Sequence, residues 1–245
     1  MLFLNKVGFI GFGNMAQAII TGMISSGNFS YNDIGAYDKD TEKLNEGTEK
    51  LKIQAFSSNE ELVSSCDCVV LAVKPNALQQ VLEPLKENLC KANPLVISIA
   101  AGQSIEKLQN FMGYEAAVVR VMPNINAIAS QAVSGYTFSD KVSKVQIDFA
   151  KKVLNSFGTC VEVDEDKFSA YSAIAGCSPA YTYLFIDALA RVGVKYGLTK
   201  KESLELVTSV AIETIRNNTH TEKTELNSVV FNAIDAAYKK DKGIG

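Results

Sequence analysis

Gly11, Gly13 and Ala16 stand in the order G-x-G-x-x-A between the apolar tetrapeptide Val7–Ile10 and a run of helical periodicity over residues 15–26. Few short patterns restrict a backbone as much. The first glycine permits a tight turn, the second removes the Cβ that would block a diphosphate, and the alanine lets helix and strand pack closely. The helix start then offers unpaired N–H groups to an anion. Placed at the first strand of a chain, the pattern predicts a dinucleotide-binding βαβ unit.

The rest of the first two-thirds keeps that rhythm. Apolar runs at 34–37, 52–56, 68–73, 95–100, 116–121, 132–138 and 159–163 read as strands. Helical stretches separate most of them: 41–46 stopped by Gly47, a helix capped by Ser57 or Ser58 with Glu60 or Glu61 three residues on, then 78–88, 105–111 and 140–157. Strands alternating with helices imply a mainly parallel sheet. After about Asp164 only helical periodicity remains. Ser178-Pro179 reads as a helix start, with the serine as N-cap. Leu184, Phe185, Ala188, Leu189 and Val192 share one face of that helix. Gly197 stops it, and Thr199 with Glu202 caps the next. A last amphipathic helix is read over 226–237. The expected fold is α/β: a doubly wound, mainly parallel Rossmann sheet over residues 1–163, followed by a small all-helical domain over 164–245. Its broad apolar faces fit a homodimer, or packing against the first domain.

Bulk properties exclude several function classes. The net charge of -3 gives no electrostatic footprint for nucleic acid or an anionic membrane. No apolar run has the length of a membrane-spanning helix, and no signal peptide is read at the start. Five cysteines, an odd number at irregular spacing, fit the reducing cytoplasm better than a disulfide framework. Cys66-Asp67-Cys68 lacks a second cysteine pair, and the chain has one histidine, so no metal is expected.

The second strand runs into Tyr37-Asp38-Lys39. An acidic residue about 20 positions past the glycines suits the ribose hydroxyls of NAD. Lys39, helped by Lys43, suits the 2′-phosphate of NADP instead. The cofactor is therefore NADPH or NADH.

Four further segments follow in order: Ala72-Val73-Lys74-Pro75, Ser98-Ile99-Ala100-Ala101-Gly102, Arg120-Val121-Met122-Pro123-Asn124 and Ala175-Gly176-Cys177-Ser178-Pro179-Ala180-Tyr181. With the glycine motif, they resemble the pyrroline-5-carboxylate reductases over nearly the whole chain. The resemblance implies an oxidoreductase of proline biosynthesis. Hydride would pass from NADPH or NADH to the C=N bond of 1-pyrroline-5-carboxylate, giving L-proline. It implies that Ile10, Gly11, Phe12, Gly13, Asn14 and Met15 hold the pyrophosphate and that Asn59 sits beside the adenosine. Ala72, Val73, Lys74 and Pro75 would line the dinucleotide, and Ala100, Ala101 and Gly102 its nicotinamide end. Met122, Pro123 and Asn124 would flank nicotinamide and substrate. Gly176, Ser178 and Pro179 would open the helix nearest the substrate, whose N-terminus could attract its carboxylate. It also implies a homodimer or higher homo-oligomer. No catalytic residue is assigned.

Two departures stand out. The family reads Asn-Thr-Pro where this chain has Asn124-Ile125-Asn126. The family also carries a Ser-Pro-Gly-Gly-Thr-Thr segment between its last two helices, which gives hydroxyl and backbone donors to the substrate. Here His220 leads through Thr221-Glu222-Lys223 into the last helical pattern, and roughly two dozen expected residues are absent. The alternatives are a non-catalytic, NAD(P)-binding dimeric paralogue and a β-hydroxyacid dehydrogenase. The latter wants a lysine facing the hydroxyl from a central helix, where this chain has only Lys195 near a helix end.

Overall fold

A computed structural model describes residues 4–216, together with 235, 239 and 240. Eight strands form one sheet in the order β3-β2-β1-β4-β5-β6-β7-β8. They are β1 (Val7–Ile10), β2 (Ile34–Tyr37), β3 (Gln54–Ala55), β4 (Cys68–Leu71), β5 (Leu95–Ser98), β6 (Val118–Met122), β7 (Ala132–Phe138) and β8 (Gly158–Glu162). All neighbours pair in parallel except β6 and β7, which are antiparallel with Val121 opposite Tyr136. The doubly wound, mainly parallel sheet is as expected.

Helices α1 (Asn14–Ser25), α2 (Thr41–Leu51), α3 (Asn59–Ser65), α4 (Leu78–Leu82), α5 (Lys86–Ala92), α6 (Ile105–Met112) and α7 (Lys144–Asn155) cover the sheet. One apolar cluster joins Phe9, Ile19, Ile20 and Phe157 on one face. A second joins Leu62, Leu71, Leu78 and Leu108 on the other. Strands buried on both faces carry continuous apolar runs, hence Cys68-Val69-Val70-Leu71. Cys66 and Cys68 belong to this interior. Burial pushes the Cys66 thiol up to about 12 and Cys68 well above its ordinary value.

Beyond Glu162 the described elements are helical: α8 (Phe168–Tyr171), a π turn at Ser172–Gly176, α9 (Ser178–Lys195) and α10 (Lys200–Arg216). Thr199 and Glu202 cap α10 reciprocally, and Ser203 donates to the Ala190 carbonyl at 2.7 Å to join it to α9. The helix read over 226–237 and the segment around His220 lie outside the described residues.

Several local readings are corrected. Gly47 does not stop α2 but lies inside it against the Phe12 ring, and Lys52 in left-handed conformation ends the helix. Of the two candidate caps before α3, Ser58 accepts from Glu61 N–H, while Ser57 bonds the Glu61 carboxylate. The stretch 78–88 is broken at Pro84, where a 3₁₀ turn separates α4 from α5. α7 starts at a Ser143–Gln146 capping box rather than at residue 140.

The largest correction concerns Ser178. It is not an N-cap, because α8, the π turn and α9 follow one another without an extended residue. The Ser178 hydroxyl donates back to the Ile174 carbonyl. Pro179 has no N–H to offer the carbonyl four residues before it, that of Ala175. The Asn124 side chain fills this place, donating from Nδ2 at 3.1 Å. The free helix N-terminus expected for a carboxylate is therefore absent at Ser178.

Candidate active site

A cleft of about 710 Å³ opens outside the carboxyl ends of β1, β2 and β4. This is the switch point of the sheet, since the chain runs from β1 outward to β3 and returns on the other side at β4. Ile10, Gly11 and Gly13 form its floor, Tyr37, Asp38 and Lys39 one wall, and Ala72, Val73 and Lys74 the other.

The glycine loop is built for close approach. Gly11 has φ 96°, and a Cβ there would lie 2.8 Å from the Ala72 carbonyl oxygen. Gly13 is the N-cap of α1, and a Cβ on it would meet nothing within 4 Å. No side chain caps α1 and no acidic residue stands in its first turn. The helix end is thus an unfilled anion seat. Opposite it, Asn59 Oδ1 is buried without a hydrogen-bond partner at the wall of the same cleft. A buried orphan acceptor costs free energy until a donor arrives, and the amino group of an adenine is such a donor. Diphosphate seat and orphan amide together fit a dinucleotide.

Asp38 is engaged by the loop itself. One carboxylate oxygen accepts Phe12 N–H at 2.7 Å and the other accepts Asp40 N–H at 3.1 Å. The Phe12 N–H is thereby spent, and its ring is fully buried. Asn14 is exposed at the start of α1, while Met15 packs partly into the core. Lys39 and Lys43 both line the cleft. Their approach was legible as charge; Tyr37 was not singled out, nor were Ala77, Gln80 and Val81, which follow the turn at Pro75.

Pro75 lines an adjoining cavity of about 500 Å³, with Lys74 and Asn76 shared between the two spaces. Gln103 lines that second cavity, whereas Ala100, Ala101 and Gly102 line neither. Ala100 and Gly102 are buried behind it, Gly102 with φ 67°.

A third cavity of about 420 Å³ lies between the segment that follows β6 and the start of α9. Asn124, Ser178 and Pro179 line it, joined by Asn126, Thr182 and Tyr183. The last three were not foreseen, although Thr182 stands one helical turn beyond Ser178. Tyr183 donates to Asn126 Oδ1 at 3.4 Å. Met122 is half-buried and packs beneath Gly176, where a Cβ would stand 2.7 Å from the methionine Cε. Pro123 is buried. None of the residues lining this cavity is a carboxylate, lysine or histidine. Among the described residues no group of three or more His, Cys, Asp or Glu side chains is arranged for a metal ion. No described helix is long and apolar enough to cross a membrane.

Comparison with known proteins agrees with this geometry. Residues 6–102 match the family described as NADP oxidoreductase, coenzyme F420-dependent, and residues 165–216 match pyrroline-5-carboxylate reductase dimerisation. The pyrroline-5-carboxylate reductase of Aquifex aeolicus is 36% identical over 210 residues, covering 86% of this chain and 75% of that one. The chain belongs to the pyrroline-5-carboxylate reductase family. A second relative in the family, from Methanosarcina acetivorans, is 31% identical over 265 residues and 98% of each chain. That aligned length exceeds the 245 residues here by 20, so at least that many positions of the relative have no counterpart. The pyrroline carboxylate reductase of Plasmodium falciparum, solved with NADP bound, superposes with a TM-score of 0.85 at 30% identity over 98% of each chain. The reductase assignment also disposes of the β-hydroxyacid dehydrogenase alternative.

Proposed function

We propose that this chain reduces the C=N bond of 1-pyrroline-5-carboxylate to L-proline with NADPH or NADH. The carrying observations are the open diphosphate seat at Gly13 and the third cavity, bounded by Asn124, Ser178 and Pro179. When bound, the reduced nicotinamide supplies the hydride. The protein's own part is to hold the two reactants in line and exclude water. This third cavity presents amide and hydroxyl groups rather than a strong acid, which suits an imine that arrives already protonated. Asn124 is held there by its bond to the Ala175 carbonyl, with its Oδ1 buried and unpartnered. Ile10 to Met15, Asp38, Asn59 and the loops 72–75 and 100–102 serve the cofactor in this reading, and Met122, Pro123, Asn124, Gly176, Ser178 and Pro179 the substrate. Residues 1–163 act as the dinucleotide domain and 164–245 as the dimerisation and substrate domain. The enzyme works in the cytoplasm as a homo-oligomer, where its five free cysteines stay reduced.

Consumption of NADPH with pyrroline-5-carboxylate, and appearance of proline, tests the reading directly. The positions that the Methanosarcina relative has and this chain lacks favour one competitor, a dimeric nucleotide binder without turnover. Tight NADPH binding with no imine consumption would establish that competitor.

Lys39 and Lys43 decide the cofactor. Both Asp38 oxygens accept backbone N–H groups, while Lys39 and Lys43 line the cleft, with Glu60 its other carboxylate, and the two cations favour the 2′-phosphate of NADPH. Lys39→Glu is expected to weaken NADPH about 10-fold, or about 1.4 kcal/mol, and to leave NADH within about two-fold. Fluorescence titration of both cofactors checks it; equal losses for the two would reject the assignment.

A further inference from the structure

We infer that Arg120 is a positioning residue for hydride transfer, acting through Glu165; this rests on the imine-reduction reading above. Arg120 lies in the middle of β6 and is only 7% exposed. One guanidinium nitrogen donates to Glu165 Oε1 at 3.1 Å, and the guanidinium carbon stands 4.3 Å from the centre of the Phe168 ring. Glu165 Oε1 also accepts the N–H of Ile105, at 2.8 Å. An ion pair between a buried arginine and a part-exposed carboxylate adds little net stability, so its use lies in fixing one arrangement.

The arrangement it fixes is the one the reaction needs. Side chains two apart on a strand share a face. On β6, Val118 packs with the cluster beneath α6 and Val119 and Val121 with the other, which puts Arg120 and Met122 on the α6 side. Asn124 continues the extended backbone. Three alternate positions, 120 and 122 on β6 and 124 just beyond it, thus meet one helical stretch: Arg120 meets Glu165 and Phe168, Met122 meets Gly176, and Asn124 meets Ala175. The first contact also reaches Ile105, the first residue of α6, which follows loop 100–104. A single carboxylate oxygen therefore ties together the start of α6, the strand β6 that leads to Asn124 and the helical stretch that carries Ser178. None of the three residues at this joint lines the Gly13 cleft.

The test uses the full-length assembled protein with Glu165→Ala, Glu165→Gln and Arg120→Lys. Glutamine keeps an oxygen that accepts both bonds, alanine keeps none, and lysine keeps the charge but loses the planar stack. Expected for Glu165→Ala is a fall in kcat of roughly 10- to 100-fold, the cost of sub-ångström misplacement of reactants. The NADPH Kd should stay within about two-fold, and the deuterium isotope effect from 4-deuterated NADPH should rise. Glu165→Gln should restore most of the rate, with Arg120→Lys between the two. Amide hydrogen exchange should quicken at 100–105 and 168–176 and not at 11–20. Unchanged kcat in Glu165→Ala, NADPH affinity lost in step with rate, or a glutamine variant as slow as alanine would each overturn the role. A parent protein that consumes no imine would sink the functional reading, and the exchange pattern would then judge the joint alone, with unaltered exchange in Glu165→Ala overturning it.

Discussion

Gly13→Val is expected to weaken NADPH binding by roughly 100-fold, close to 3 kcal/mol, while the melting temperature stays within about 2 °C of the parent. The free protein has room for the change. Gly13 has φ -76° and ψ -179°, an extended conformation that β-branched residues adopt readily, and its Cβ direction is open for 4 Å. The same open space is where a diphosphate must sit to reach the N–H groups at the start of α1. Hydrogen bonds from such donors to a charged group contribute about 1.5–3 kcal/mol each, so displacing the anion from even one of them accounts for the loss.

The neighbouring glycine supplies the contrast. At Gly11 a side chain must adopt φ 96° and press on the Ala72 carbonyl. Gly11→Ala therefore loses stability first, by about 1–3 kcal/mol. Thermal unfolding of the two variants without cofactor, followed by NADPH titration of each, separates the two glycines. If Gly13→Val bound NADPH as tightly as the parent, the diphosphate would not lie over α1, and the cleft would need another occupant.

These two positions were readable without coordinates because glycine's role there is local: backbone conformation and a missing Cβ. The alternation of apolar runs similarly gave away β1 to β8. What escaped depends on contacts between distant residues. Asp38 was legible as a cleft residue, but its bond from Phe12 N–H, 26 residues earlier, was not. Ser178-Pro179 carried the composition of a helix start and proved to be helix interior. A proline is tolerated there because Asn124, 51 residues away, takes over the orphaned carbonyl of Ala175. The antiparallel return of β7 left no trace in a sequence pattern that strands of either direction share. Arg120 sat in plain view within a quoted motif, yet its importance lies in Glu165, 45 positions on. Charge at a strand centre flanked by valines was the available signal, since such a residue must find a partner.

The second large effect concerns assembly. Leu184→Asp is expected to convert the homodimer to monomer at micromolar concentration, as read by light scattering. Leu184 is 70% exposed in the protomer, and Phe185, Leu189 and Val192 of the same face of α9 are also exposed. Packing of this face against the sheet domain, one of the two options open from sequence, is thereby excluded. The face falls within the stretch matching pyrroline-5-carboxylate reductase dimerisation, residues 165–216. Burying one unpaired carboxylate in an apolar interface costs about 3 kcal/mol or more. In a two-fold interface the variant appears twice, so the dimer Kd should rise by roughly four orders of magnitude. The protomer itself should keep its melting behaviour at low concentration, because an exposed aspartate disturbs nothing in its own core. NADPH binding should also persist, since the Gly13 cleft shares no lining residue with α9. Turnover should fall, because Tyr183, at the cavity proposed for the substrate, is the chain neighbour of Leu184, and a dimer partner that covers one bears on the other. A fully dimeric Leu184→Asp would place the seam elsewhere on α9 or α10. The exposed Leu206 and Val210 of α10 would then be the next positions to charge.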